Sequence, residues 1–541
     1  MKTLKLIFFL LLLSLPWIGN AQTKAGFGFF TDRDFYVGGE SVLAKLYIPE
    51  DIKTRIIHLD LIHPSGKQVN AVSLELKNHE ANGYFQLPDS LSSGTYLLRA
   101  YWSVAEGSSK MVRELWIVNR FSGADIPEKI QKLKNHGSSV EKETTQIKLS
   151  GIQDELTINK EIQANIELDE SLLQSIKGNI LVHVAQLIPE LRSATFQDAS
   201  QNGYNQIGEE KGIIRTGLVT DRKTNLPVAD ATVYLTIPDS IPGFQYYQTG
   251  TDGRFYFLID RHYGTLPAVV QCYSKDPVQR LKLKLDDLVA PIGPMPEMTE
   301  VGISDDIKKV ITNSIDAVTF QKVFAQEKLT NLPIPEKKAD EYQFYGKPTQ
   351  IVDPQLFVDL PNFNEISKEL LPGVKFRNYN SQPSIQVLNN PAHNYFQEAP
   401  LILMDGIPIR DLNVIKNMGS TDIDRVEICQ NERFYGNLRF PGVVAIYTTK
   451  SDYSNLPEND QLLKLNMEAI QIPIRLNEAT AADQSIPDLR QVLYWNPSEK
   501  PAKNIPVSFR TSSVIGNFKI SISGVKTDGT PFYSEKQFEV K

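Results

Sequence analysis

The sequence predicts a multidomain, mainly β protein, built from several immunoglobulin-like β-sandwiches plus one small α+β domain, with no transmembrane barrel. Three observations carry this. A chain of 541 residues is long enough for several domains. Apolar residues alternate with polar ones in many short runs, and Gly, Pro, Asn and Asp pairs punctuate them, which is the signature of half-buried strands joined by tight turns. One stretch stands out as helical, with Ile307, Val310, Ile311, Ile315 and Val318 recurring at spacings of three and four.

At the N-terminus, Lys2 and Lys5 precede the apolar run 6–18, and Gly19-Asn20-Ala21 follows. A basic end, a short apolar core and small residues at the cleavage point predict a signal peptide over residues 1–21. No cysteine follows to carry a lipid, and no later stretch approaches the roughly 18 apolar residues of a spanning helix. The mature protein is therefore expected to be exported, without a transmembrane segment of its own. The net charge of −7 and the lack of a basic stripe exclude a nucleic-acid partner.

Residues 24–120 read as a β-sandwich: Val42, Ala44, Leu46 and Ile48 alternate, as do Ile57, Leu59 and Leu61, then Val72, Leu74 and Leu76, then Tyr96, Leu98, Ala100 and Trp102. Gly38-Gly39, Pro64-Ser65-Gly66, Asn82-Gly83 and Ser93-Gly94 separate them. Residues 121–144 are polar and read as a linker. A second β module spans 145–191, with Ile162, Ala164, Ile166 and Leu168 alternating before Ile180, Val182 and Val184. His183 lies between inward positions and has no second ligand two or four residues on, so it reads as a core histidine. Residues 192–210 form a polar connector.

A third sandwich occupies 211–288, where Pro227 stiffens an edge and Asp252-Gly253 supplies a turn. Residues 297–361 are a helical and irregular connector. Ser304 is placed to cap its helix, and its aromatics suit packing onto a neighbouring module. In 362–450, Leu401 to Met404, the Asp405-Gly406 turn and Ile407 to Ile409 form a hairpin. Asp411 can cap a short helix striped by Leu412, Ile415 and Met418; Ile423, Val426 and Ile428 lead to the Tyr435-Gly436 turn, and Val443 to Thr449 is a final strand. Residues 462–541 read as a C-terminal β-sandwich.

Several of these stretches resemble known families. TDRDFYVGGESV and GYFQLPDSLSSGTYLLRAYW resemble macroglobulin-type domains of exported bacterial proteins, and IPDLRQVLYWNP with GNFKISISGVKTDGTPF is similar to the closing β-domain of related envelope proteins. Gly217, Val219, Asp221, Leu226-Pro227-Val228, Ala231, Val233, Thr251-Asp252-Gly253 and Phe255 resemble the carboxypeptidase regulatory-like domain, an accessory sandwich without the zinc-bearing catalytic domain. Pro400, Asp405, Gly406, Ile423, Val426, Tyr435, Gly436, Gly442, Val443 and Thr448-Thr449-Lys450 resemble, in order, the plug domain of TonB-dependent outer-membrane receptors. That resemblance implies an outer-membrane-associated protein on the periplasmic or cell-surface side. In the family a barrel of about 22 strands surrounds the plug, whereas the 91 residues after Lys450 are too few and too rich in proline to form it.

No catalytic constellation is legible. The seven histidines are scattered, and HExxH, GxSxG, P-loop and paired-cysteine patterns are missing from the sequence. Neither Cys272 nor Cys429 sits in the Gln-containing segment that a macroglobulin thioester needs, and both fit small core thiols, with a disulfide permitted by export. The expectation is a non-enzyme without cofactor or metal. The plug-like domain is expected to dock with a separate outer-membrane barrel protein or envelope complex, through exposed Asp411, Asn413, Lys416 and Asn417. The alternatives are a ligand-binding or gating component of TonB-dependent transport, and an envelope protease inhibitor or adhesin.

Overall fold

A computed structural model describes residues 27–541, apart from the segments 103–109, 122–125, 135–143, 199–208, 277–278, 288–296, 324–328, 335–341, 380–381, 454–455 and 477–486 and positions 51, 64, 194, 240, 261, 275 and 452. The signal-peptide reading of 1–21 lies outside the described residues. The chain is mainly β. Among the described residues, no helix is long and apolar enough to cross a membrane.

The first sandwich packs the three strands Gly28–Thr31, Ser41–Tyr47 and Glu80–Gln86 against a larger sheet. That sheet runs in the order Thr195–Asp198, Lys110–Val118, Gly94–Tyr101, Ile56–Ile62 and Gln68–Glu75. The alternating residues anticipated from the sequence meet between the sheets: Val42, Leu46, Leu59, Leu61, Leu74, Tyr96 and Leu98 are buried in one core. Thr195–Asp198 belongs to the stretch read as a connector. It corrects that reading by adding an edge strand antiparallel to Lys110–Val118.

The linker reading is corrected too. Lys129–Leu133 pairs antiparallel with Met298–Gly302 and buries Ile130 on one face and Leu133 on the other. This ribbon delivers the predicted helix, Asp305–Val323, onto the first sandwich, where Ile307, Ile311, Ile315 and Val318 pack against Phe35, Val37 and Trp116. Ser304 does cap it: its hydroxyl accepts the Ile307 N–H at 3.4 Å.

The second β module and the C-terminal sandwich are one domain. Ile147–Ser150 and Glu161–Leu168 form a sheet with Asn504–Arg510, while Ile176–Gln186 lies between Val492–Glu499 and Gly516–Lys526 in the facing sheet. Neither half has a core alone: Ile162, Ile166 and Val182 are buried against Val507, Phe518 and Ile520. Leu462–Glu468, assigned to the tail by sequence, instead pairs with Thr265–Tyr273 and completes a sheet of the third sandwich. The third sandwich is thus inserted within the second, and the α+β domain within the third.

Candidate functional site

The α+β domain is organised by a mixed sheet in the order Gln350–Val352, Ile423–Tyr435, Leu438–Thr448, Leu401–Met404 and Ile407–Pro408, with Leu401–Met404 parallel to Leu438–Thr448. Leu401–Met404 has the span expected for it, whereas the final strand starts at Leu438, five residues before Val443, and Gln350–Val352 adds an edge strand from the connector. Pro400 is buried at the start of Leu401–Met404. Asp405 and Gly406 both take left-handed φ, 49° and 80°, as a two-residue hairpin turn requires.

Asp405 does more than turn the chain. It is only 5% exposed, and its Oδ1 and Oδ2 accept the backbone N–H and the hydroxyl of Thr448 at 2.8 and 2.7 Å. The hairpin tip is thereby latched to the end of the neighbouring strand. Thr449 is exposed and its N–H donates to the Asp422 carbonyl at 3.0 Å. Gly442, with φ 86°, stands where the register slips between Cys429 and Glu432; Val443 beside it is fully buried. A Cβ at Gly442 would lie 3.0 Å from the side chain of Val387, so glycine here admits the hairpin strand Gln382–Asn389 onto the sheet.

The two turns of the plug-like pattern both face the third sandwich. A Cβ on Gly406 would sit 2.4 Å from Pro242, and one on Gly436 (φ 56°) 2.2 Å from the Tyr246 hydroxyl. The Tyr435 hydroxyl donates to the Phe244 carbonyl at 2.9 Å, and the Asn437 N–H donates to Tyr246 Oη at 2.7 Å. Phe344 completes this joint by stacking on Phe244, ring centroids 4.0 Å apart, which is the packing role expected for the connector's aromatics.

The proposed partner residues lie elsewhere on the domain. Asn413–Lys416 is a short helix whose Ile415 is fully buried, with Met418 buried just beyond it. Its N-cap position is Leu412; Asp411 instead accepts the Asn413 N–H at 3.0 Å. Asp411, Asn413 and Asn417 are exposed, and Lys416 is half-buried. Among the described residues, no group of three or more potential metal ligands gathers anywhere. Cys272 and Cys429 are both buried and free, so the permitted disulfide is absent.

Two clusters escaped sequence reasoning. Ser73 Oγ lies 2.9 Å from His58 Nδ1, and His58 Nε2 lies 2.5 Å from Glu209. The types match an acyl-transfer triad, yet all three are under 8% exposed, and Glu209 also accepts the Ile214 N–H. The group joins the first sandwich to the root of the third, and as placed it offers a substrate no approach. The second is the run Leu356-Phe357-Val358, which is exposed where the connector was expected to pack. No periodicity flagged either cluster, since both depend on contacts made far along the chain.

No family model and no curated protein matches the chain. Among solved structures, it is similar to a mutant alpha-2-macroglobulin of Salmonella (10% identity over 95% of this chain and 39% of that one, TM-score 0.24). It is also similar to the native alpha-2-macroglobulin of E. coli (10% identity, 95% and 40% coverage, TM-score 0.23) and to latent PorU of Porphyromonas gingivalis (10%, 47% and 32%, TM-score 0.15). The chain spans about two-fifths of the length of those macroglobulins. TM-scores this low carry no assignment.

Proposed function

We propose that this is an envelope interaction protein, without catalytic activity, whose α+β domain docks with a separate outer-membrane barrel protein while the β-sandwiches act as spacers and binding surfaces. The kind of partner comes from the plug resemblance. The observation that supports docking is the unequal use of the domain's surface. Its Asp405-Gly406 and Tyr435-Gly436 turns are committed to the third sandwich, whereas Asp411, Asn413 and Asn417 stand in solvent on and beside the short helix Asn413–Lys416, anchored by buried Ile415. A surface fixed in orientation and left open meets the main structural requirement of a docking module.

The test is affinity purification of the tagged full-length chain from detergent-solubilised envelopes, beside the double variant Asn413→Arg, Asn417→Arg. The expected result is recovery of a barrel protein, recognised by a gel mobility that shifts on boiling, with at least a tenfold loss in the variant. Equal recovery from both chains, or no barrel protein from either, would overturn the reading.

A further inference from the structure

The connector before the α+β domain presents an anomaly that packing does not explain. Leu356, Phe357 and Val358 are 78%, 57% and 79% exposed, three large apolar side chains in a row. A run of this kind costs solubility and is normally removed from a surface unless something covers it.

Its backbone is pinned on both sides. Pro354 is buried at the start of a 3-10 turn, Pro354–Leu356, and the Asp353 carboxylate accepts the Gln355 N–H at 3.0 Å. The Gln355 side chain donates to the Ile423 carbonyl at 3.1 Å. Beyond the run, the Leu360 N–H donates to Ser420 Oγ at 3.1 Å and the Ser420 N–H returns to the Leu360 carbonyl at 2.9 Å. The segment is therefore a preformed knuckle that pays little ordering entropy on binding. It lies on the rim of the domain formed by 419–423, just past the Asn413–Lys416 helix.

The surroundings say what would cover it. Asp359 adjoins the run and is exposed, as is Asp422 on the rim, whereas Asp424 is paired with Arg425. The nearby guanidinium of Arg425 is already engaged by Asp424 and Glu427, at 3.2 and 3.0 Å. An apolar tip within an acidic rim complements an apolar groove edged by lysine or arginine, and it disfavours an anionic lipid surface. We infer that Leu356-Phe357-Val358 is the anchor by which the α+β domain enters a basic-rimmed apolar groove on its protein partner, an inference that rests on the docking function proposed above.

The experiment places a photo-crosslinking benzoylphenylalanine in the full-length chain, in separate variants at Phe357, at Asn417 and at Phe434. The last is a comparably exposed aromatic on the same domain, 64% accessible. Irradiation of intact envelopes should give a barrel-protein adduct from position 357 and none from 434. The adduct should fall roughly tenfold or more when Leu356 and Val358 are changed to Ser, and fall as salt rises. The crosslinked partner peptide should adjoin lysine or arginine. Capture of the barrel protein from 417 but not from 357 would overturn the anchor while leaving docking intact. Capture from neither would overturn both, and a 357 adduct made only with lipid or with a second copy of the chain would overturn the groove.

Discussion

Replacing Asp405 with Ala should open the α+β domain selectively, and the chain carries its own reporters of that event. The Asp405 carboxylate accepts two hydrogen bonds from Thr448, at 2.8 and 2.7 Å. Bonds of this kind contribute about 1.5–3 kcal/mol each. Thr448 is half-buried, so its freed groups recruit some water, and about 2 kcal/mol for the pair is the realistic figure. Alanine must also adopt the φ of 49°, which adds about 1 kcal/mol. The total of about 3 kcal/mol corresponds to roughly a 100-fold increase in the open population. Cys429 lies fully buried on Ile423–Tyr435, while Cys272 lies fully buried in the third sandwich. Burial pushes the Cys272 thiol up to about 12 and raises that of Cys429, so both are protonated and shielded until their domain opens. Alkylation at pH 8 with peptide mapping should show Cys429 labelled about 100-fold faster in the variant and Cys272 unchanged; Asp405→Asn, which keeps an acceptor and tolerates the turn, should cost about tenfold. A Cys429 rate within about threefold of wild type would refute the latch, and equal acceleration at both cysteines would refute independent opening of the domain.

Two further outcomes follow from buried polar groups at other joints. Glu80 accepts the Lys45 ammonium in the first sandwich, and it accepts the N–H and side-chain amide of Asn179 in the second at 2.7 and 3.3 Å. Glu80→Ala strands the fully buried Lys45, so a loss of about 3–5 kcal/mol is expected in urea unfolding followed by tryptophan fluorescence; the double variant with Lys45→Met should recover part of it. His183 is buried against Trp495, and burial, then the charges of Lys519 and Arg113, hold its pKa well below 6.5. Below pH 6.5 the unfolded chain takes up a proton that the folded chain refuses, so the second sandwich should lose stability as pH falls from there towards the lower folded pKa. His183→Gln should flatten that slope in urea midpoints measured from pH 7.5 to 5, and an unchanged slope would assign the acid sensitivity to other groups.

How much was legible depended on where each residue's partner lies. In Ile56–Ile62, the alternation of Ile57, Leu59 and Leu61 marked the core face because that face packs within one sandwich. The opposite face carries His58 and Asp60, which look like solvent residues in sequence. Both are fully buried, His58 by Glu209 and Asp60 by Arg99 on the adjoining strand. Turn chemistry at Asp405-Gly406 was legible because two-residue hairpins demand those types locally. The docking of that turn on Pro242 was not, since a glycine needed for close approach looks the same as one needed for φ. Phe357, one of the connector's aromatics, is expected to pack, yet it is 57% exposed between Leu356 and Val358. The hydrogen bonds of Gln355 to Ile423 and of Leu360 to Ser420 fix the backbone on either side of the run, and periodicity carries no trace of either.

The largest misreading, the splitting of one sandwich into two modules, has the same origin. Gln163 donates to Ser508 across 345 positions of sequence, and His183 stands opposite Trp495. Periodicity identifies a strand but carries no record of its partner, so each half read as a short domain of its own. Nesting also bears on function. The third sandwich receives its last strand, Leu462–Glu468, only after the α+β domain has been traversed, and the second receives Val492–Val540 later still. The α+β domain follows the helix packed on the first sandwich and leads into the third sandwich, so both of its ends are tied to folded modules. A domain hung on a single linker would sample many orientations and lose affinity to that freedom. One tethered twice, and wedged by Tyr435 and Phe344 against Phe244, presents its helix and its apolar knuckle in one orientation to whatever it meets.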